Sequence, residues 1–199
     1  MNNVLILFLF GYLLGSIPFG YLFSKNKGLD IRKVGSGNIG GTNISRAFGL
    51  GWGVVVGILD ISKAIVPTYL ALKYLTVEWQ IALVALAPAL GHAFPIWLKF
   101  KGGKAISTIG GALAVLLGWK GFLVLFIIWF TTLRLTKIVS FSSLTMSSFM
   151  PMVIWFFTYS LTYVLLGFVF MALAWWAHRE NLARLKAGTE PKFTGKKTI

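Results

Sequence analysis

The sequence predicts an all-α polytopic membrane protein of seven transmembrane helices, and three observations carry that prediction. The first is composition: 57% of the 199 residues are hydrophobic, mean hydropathy is +0.79 and only 12% are charged, against about 25% in soluble domains. The second is a succession of apolar stretches able to cross roughly 30 Å of hydrocarbon as helices. The third is where the charge sits. Net charge is +14, from 19 Lys and Arg against 5 Asp and Glu, and nearly all the basic residues fall in alternate connections.

Val4–Phe23 carries no charge and makes the first span. Met1-Asn2-Asn3 lacks the positive flank of a cleaved signal and the apolar run exceeds a signal's core, so this span is expected to be retained. A basic connection holds Lys25, Lys27, Arg32, Lys33 and Arg46 with the single acid Asp30. The second span, near Trp52–Leu72, contains Asp60 and Lys63. The polar turn Lys73–Glu78 leads to a third span, Trp79–Leu98, and then to the basic turn Lys99–Lys104. Ala105–Gly118 and Gly121–Leu133, split by Trp119-Lys120, are short for spans. Polar flanks such as Ser107-Thr108, or local thinning of the bilayer, let them cross. After Arg134 and Lys137, Val139–Ala177 is uncharged and too long for one helix, and the polar cluster Thr158–Thr162 divides it. His178–Ile199 is a basic tail.

With seven spans, the basic connections and the tail share one side, leaving Lys73 and Lys120 on the other and Lys63 within a span. The positive-inside rule then puts the N-terminus outside and the C-terminus in the cytoplasm. The expectation is one integral membrane domain over 1–199, with 25–51, 99–104, 134–140 and 178–199 as cytoplasmic loops and tail. In a soluble chain this charge would suggest nucleic acid. Here no soluble basic face and no nucleic-acid signature exist, so the partner is the lipid bilayer. The absence of cysteine excludes disulfides, thiolate metal sites and a cysteine nucleophile, and neither a metal nor a cofactor is expected.

The richest stretch is Gly35–Arg46, GSGNIGGTNISR. Gly35, Gly37, Gly40 and Gly41 free the backbone to turn N–H groups toward one anion. Ser36, Asn38, Thr42 and Asn43 add side-chain donors, and Arg46 a fork suited to phosphate. The formal G-x-G-x-x-G match, with Asp60 downstream, is not a dinucleotide site, because that fingerprint needs a strand and a soluble βαβ unit. A flexible loop of turn-forming residues is the plainer alternative. KFKGGK at Lys99–Lys104 is not a Walker A loop, since Leu98 stands six before Lys104 and Ala105 follows it. Lys101 and Lys104 serve either as phosphate-binding charges or as positive-inside anchors. His92, beside Pro95, is a packing residue or a ligand contact. Ser140–Ser143 opens a span with hydroxyls and free N–H groups, fitting an anion or an ordinary N-cap. His178 and Asn181 share a face at three-residue spacing. Asp60 and Lys63 pair inside the membrane, as a brace or as a substrate contact.

Together these pieces resemble the acyl-phosphate-dependent glycerol-3-phosphate acyltransferases of bacterial inner membranes, the PlsY family. The likeness runs through GSIPFGYL at Gly15–Leu22, DIRKVGSGNIGGTN at Asp30–Asn43, GHAFPIWLKFKGGKA at Gly91–Ala105, SFSS at Ser140–Ser143 and HRENLARLKAGTEP at His178–Pro191. Gly41, Ala64 and Ala105 depart from it, where alanine, glycine and glycine are expected. The resemblance implies transfer of a fatty acyl group from acyl phosphate to the 1-hydroxyl of sn-glycerol 3-phosphate, giving lysophosphatidic acid and phosphate. Acyl phosphate is a reactive anhydride, so two anions held in attack geometry need no covalent intermediate.

On this reading Ser36, Asn38, Lys104 and His178 are the catalytic candidates. Gly35, Gly37, Gly40, Gly41, Thr42, Asn43, Arg46, His92, Lys101, Ser142, Ser143 and Asn181 are the substrate- and phosphate-binding ones. The Gly35–Asn43 loop with Ser142 and Ser143 cradles one phosphate and the oxyanion, Arg46 and Lys104 hold the other phosphate, and His178 and Asn181 orient the glycerol. The general base is either histidine or the donor's own phosphate. The His-x4-Asp signature is absent, since Trp97 and Ala183 follow the histidines by five, and no G-x-S-x-G elbow occurs. A small anion or phosphate transporter is the alternative, favoured only by Asp60 and Lys63, because transporters place their site mid-bilayer between repeats. A third possibility is a structural protein whose basic loops bind anionic lipid.

Overall fold

The computed structural model describes residues 2–194, so the end of the predicted tail, 195–199, lies outside the described residues. The described chain is helical: α1 Asn2–Ser16, α2 Phe19–Asn26, α3 Gly41–Phe48, α4 Leu50–Tyr74, α5 Glu78–Ala93, α6 Ile106–Leu116, α7 Gly118–Thr136, α8 Val139–Thr158, α9 Leu161–Ala177 and α10 Arg179–Lys186. Single 3-10 turns lie at Ile31–Lys33 and Ile96–Leu98. Among the described residues five stretches are long and apolar enough to cross a membrane: Asn3–Asn26, Leu50–Tyr74, Glu78–Leu98, Gly118–Thr136 and Val139–Thr158. A sixth appears if α9 and α10, bent by 62°, count together, and α6 is a shorter apolar helix.

The first expected span is interrupted. Pro18 has no N–H and its ring clashes with the preceding turn, so α1 stops at Ser16, whose hydroxyl donates back to the Tyr12 carbonyl at 2.8 Å. The carbonyl of Ile17, at this break, accepts from the Phe19 N–H at 3.2 Å and from Lys63 Nζ at 3.1 Å. Sequence reading placed the next division at Thr158–Thr162. The chain turns there at Tyr159, in the left-handed region at φ 51°, and Ser160 caps α9 by accepting from the Tyr163 N–H.

Packing centres on α5. Helix α1 lies along α5 and α4, α4 on α6, α6 on α7, α7 on α8, α8 on α9, and α9 returns to α5. In the most apolar window of the α5 stretch 67% of residues are buried, against 11% for α7. Lipid tails are as apolar as leucine, so helix contacts in a bilayer depend on close approach of small residues. Ala82, Ala85, Ala87 and Ala89 of α5 supply it, with Ala64 and Ala71 of α4 and Ala112 of α6. Backbones nearly touch where Gly91 meets α1: a Cβ there would overlap the Tyr12 carbonyl and the Ser16 amide. Helix α7 instead turns stacked Phe122, Phe126 and Phe130 outward.

Candidate active site

The connection between α2 and α4 folds around one side chain. Asn43 is buried, and its Nδ2 donates toward the carbonyls of Ile31, Val34 and Asn38 at 3.2, 2.9 and 2.9 Å, while its Oδ1 accepts from the Ser36 N–H at 3.1 Å. Gly35 and Gly37 adopt φ 58° and 68°, which L side chains resist. Asn38 Oδ1 accepts from the Gly40 N–H at 2.9 Å. This leaves the Ser36 hydroxyl exposed and without a hydrogen bond among the described residues, with Thr42 half-buried beside Asn43 at the start of α3. Gly41 abuts α4, where a Cβ would meet the Gly53 carbonyl. Asn43 therefore shapes the loop from within.

The turn after α5 folds back on the helix end. The N–H groups of Gly102 and Gly103 donate to the carbonyls of Ala93 and His92 at 3.1 and 3.0 Å, closing acceptors that a helix C-terminus leaves open. Those amides are thus spent on α5, and what the turn delivers is the side chain of Lys104. Lys99, Phe100 and Ala105 all take left-handed conformations, at φ 53°, 61° and 59°. Lys101 is exposed and pairs with no acid among the described residues.

Around Lys104 the separate segments meet. Glu190, in the strap after α10, accepts from Ser140 at 2.7 Å, Asn181 Nδ2 at 2.5 Å and Arg184 Nε at 2.7 Å. The strap is pinned beyond it, where the Phe193 N–H donates to the Lys137 carbonyl at 2.6 Å. Lys104 lies within electrostatic reach of Glu190, Arg184, Arg46 and Glu180, and His178 within reach of Lys104 and Glu190. Burial brings the Lys104 ammonium down to about 8, with Glu190 opposing the shift and Arg184 and Arg46 adding to it. Burial also holds Arg46 below the usual guanidinium range. Burial and the Lys104 charge push His178 down to about 4, against the pull of the Ala174 carbonyl and Glu190. Its Nδ1 donates to that carbonyl at 2.7 Å, so the neutral ring keeps a lone pair on Nε2.

The α8 hydroxyls are buried at the same end. Ser142 donates to the Ile138 carbonyl at 2.9 Å, and Ser143 donates to Val139 at 3.0 Å while accepting from Trp129 Nε1 at 3.3 Å. Asn181 Oδ1 is a buried acceptor with no donor among the described residues. The structure therefore brings together Arg46, Lys104, His178 and Asn181, with the Ser36–Asn43 loop leading into Arg46 through α3. Lys101 stays outside the cluster, and His92 lies beneath the Gly102–Lys104 turn. Glu190 and Arg184 escaped sequence reasoning as site residues, and Ser140 was read only within the Ser140–Ser143 stretch as fitting an anion or an N-cap. The available signal was Glu190 itself, an acid in a tail otherwise dominated by Lys and Arg. Among the described residues no three His, Asp or Glu side chains are placed to hold a metal ion. Beside the cluster, an apolar groove of about 440 Å³ runs between α8, α9 and α10, lined by Phe141, Leu144, Trp175, Leu182 and Leu185 with Lys186 among its polar residues.

Comparison with known proteins agrees along the whole chain. The family model for glycerol-3-phosphate acyltransferase matches residues 5–188. The glycerol-3-phosphate acyltransferase of Desulforamulus reducens is 40% identical over 188 residues, 94% of each chain. That of Aquifex aeolicus is 38% identical over 194 residues, covering 96% of this chain and 100% of its own. Among solved structures, PlsY, an integral membrane glycerol 3-phosphate acyltransferase, superposes in its glycerol 3-phosphate form with a TM-score of 0.91 at 37% identity, over 96% of both chains. Its lysophosphatidic acid form gives 0.89 at 36% identity, over 97% of this chain and 96% of that one.

Proposed function

Since the chain belongs to the glycerol-3-phosphate acyltransferase family of integral membrane PlsY proteins and is an acyltransferase, we propose that it moves a fatty acyl group from acyl phosphate to the 1-hydroxyl of sn-glycerol 3-phosphate. The products are lysophosphatidic acid and inorganic phosphate. The observation that carries this reading is the seat of Glu190: the site already holds one anion, bonded to Ser140, Asn181 and Arg184 and facing Lys104 and Arg46.

Each substrate phosphate carries about −1.5 to −2 charges at neutral pH, so two of them side by side need several cations. Lys104 and Arg46 hold one phosphate, and the Gly35 amide with the Ser36 and Thr42 hydroxyls and the Asn38 amide nitrogen receive the other, Asn43 keeping the loop in shape. His178 Nε2 and Asn181 Oδ1, both unengaged acceptors, take hydrogens from the glycerol hydroxyls. The 1-hydroxyl oxygen attacks the acyl carbonyl, and the oxyanion is stabilised by the loop donors together with Ser142 and Ser143 once their hydroxyls turn from the helix carbonyls. Collapse forms the ester and breaks the bond from acyl carbon to phosphate oxygen. The hydroxyl proton ends on the departing phosphate, which is a better acceptor at about pKa 6 than His178 at about 4. The acyl chain lies in the apolar groove below α10.

In this proposal α6 and α9 complete seven spans. Helix α6 leaves the face that carries Lys104, and α7 returns to it at Lys137, so the connections holding Arg46, Lys104 and Ser140 and the strap with Glu190 share one side. That side is the cytoplasmic face of a bacterial inner membrane, and residues 25–51, 99–104, 134–140 and the described part of 178–199 form its loops and tail. Purified protein mixed with acyl phosphate and glycerol 3-phosphate should release phosphate in step with lysophosphatidic acid. Phosphate passage across proteoliposomes without acyl transfer would favour the transporter instead.

A further inference from the structure

Asp60 and Lys63 sit inside the α4 span, away from the cation cluster, yet the contacts of Lys63 lead toward it. An ammonium group has three hydrogens and no acceptor. Lys63 Nζ donates to the Ile17 carbonyl at 3.1 Å, lies 2.8 Å from His92 Nδ1 and pairs as an ion with Asp60 Oδ1 at 2.9 Å, an oxygen that accepts no hydrogen bond among the described residues. The arrangement is complete only if Nδ1 of His92 presents its lone pair. A hydrogen on Nδ1 would instead face the ammonium at 2.8 Å in order to reach Asp60 at 3.5 Å. The hydrogen of the neutral ring therefore sits on Nε2.

That second nitrogen lies against the Gly102–Lys104 turn. A Cβ on Gly103 would overlap His92 Nε2, so glycine is what lets the turn pass this close to that edge of the ring. No protein group accepts from Nε2 among the described residues, although His92 is only 4% exposed. The Gly103 edge on which it lies is one residue from the lysine that carries positive charge into the site.

We propose that Lys63, anchored by Asp60 and the Ile17 carbonyl, is a positioning residue that fixes His92 in the Nε2–H tautomer, so that His92 donates past Gly103 to the phosphate held by Lys104. This rests on the acyltransferase reading of the Lys104 site and gives the mid-membrane pair a task within it. The break at Pro18 then has a use, since it supplies a carbonyl that takes one of the ammonium hydrogens.

The test is nitrogen-15 NMR on histidine-labelled protein carrying His178→Gln, which leaves His92 as the sole reporter. The expected spectrum shows neutral imidazole, unprotonated at Nδ1 and protonated at Nε2, with the Nε2 signal moving on addition of glycerol 3-phosphate. Protonation at Nδ1 would overturn the assignment without any turnover being measured. Lys63→Met combined with Asp60→Asn removes the charges as a pair, leaving no lone buried ion, and should mix the tautomers; an unchanged spectrum would also overturn the role of Lys63. In the chain with His178 intact, that double change and His92→Phe should each raise KM for glycerol 3-phosphate about tenfold, the worth of roughly one buried hydrogen bond, with a smaller effect on kcat. Combining them should cost no more than either alone. Additive losses mean that Lys63 merely braces the bundle, and an unchanged KM in His92→Phe removes the ligand contact. Failure of the parent chain to transfer acyl groups at all would instead defeat the acyltransferase reading, with the tautomer result still standing by itself.

Discussion

Two polar clusters occupy neighbouring layers of this protein, and they differ in what each is gathered around. The inner one, Asp60 with Lys63 and His92, is gathered around an ammonium that donates to the Ile17 carbonyl, meets His92 Nδ1 and pairs with Asp60, and all three side chains are nearly fully buried. The outer one, Arg46 with Lys104, His178, Asn181 and Arg184, is gathered around a carboxylate from its own strap and keeps open valences on His178 Nε2 and Asn181 Oδ1. Saturated polar groups in a low-dielectric interior rigidify what surrounds them, while unsaturated ones are costly unless a ligand completes them. On the proposed function the first cluster is scaffold and the second carries the chemistry.

The strongest way to break that division is Lys104→Ala. If the outer cluster neutralises substrate phosphate, kcat/KM should fall roughly a thousandfold, in the range of losing a preorganised charge in a dry site. Thermal stability should stay near that of the parent, because Lys104 donates no hydrogen bond in the described structure and its charge is repelled by Arg184 and Arg46. A large drop in melting temperature with turnover nearly intact would make Lys104 a scaffold residue after all.

Glu190→Gln probes the strap. Burial alone would raise this carboxyl, but hydrogen bonds from Ser140, Arg184 and Asn181 outweigh it and hold the group below the usual range. Glutamine keeps the shape and loses the charge, which should cost about 1.5–3 kcal/mol by the worth of hydrogen bonds to a charged group, read as a lower midpoint in chemical denaturation. Because the native pKa lies below the unfolded value, the stabilisation from Glu190 is present above that unfolded value and fades as pH falls through the native one. The variant should accordingly lose the acid-side slope that the parent shows.

A pH series separates binding from folding at Lys104. With a native value of about 8 against 10.5 for the free side chain, the unfolded chain binds more protons between those limits, so stability should rise across that window. Affinity for glycerol 3-phosphate should move the other way, weakening as the ammonium is lost above about pH 8. Opposite slopes, from thermal melts and from KM, would sharpen the assignment; parallel slopes would contradict it.

How much of this was legible beforehand follows from the kind of signal each feature leaves. Five long apolar helices were legible because hydropathy is additive along the chain, and Asp60 and Lys63 were legible as partners because a helix puts residues three apart on one face. Pro18 was in plain view, but an uncharged window gives no weight to a single missing N–H. His92 joining the Asp60–Lys63 pair depends on the docking of α5 against α4, which no local pattern states. The site motifs were legible as donors and cations, and which donors stay free was not: Asn43 turns inward and the Gly102 and Gly103 amides cap α5, outcomes of loop closure rather than of composition. Glu190 was hidden for the same reason, since it enters the cluster only once the strap crosses to Lys137.

The smallest expected effect concerns Ala105, one of the positions where the family resemblance leads one to expect glycine. Its φ of 59° and ψ of 5° put it in the left-handed region, where a Cβ crowds the following carbonyl and costs roughly 1–2 kcal/mol in regular left-handed structure. Ala105→Gly removes that strain and also widens the unfolded ensemble, which offsets about 0.4–1 kcal/mol of the gain. The residue is buried, so a methyl contact is lost too. These contributions nearly cancel, and stability should change by less than about 1 kcal/mol. Kinetics offer the finer reading. Ala105 stiffens the junction between Lys104 and α6, so if the outer cluster needs Lys104 held in one place, glycine should raise KM for glycerol 3-phosphate slightly while leaving the melting temperature alone. An unchanged KM would mean that the His92 and Ala93 carbonyls, holding Gly103 and Gly102, already fix the lysine from its other side.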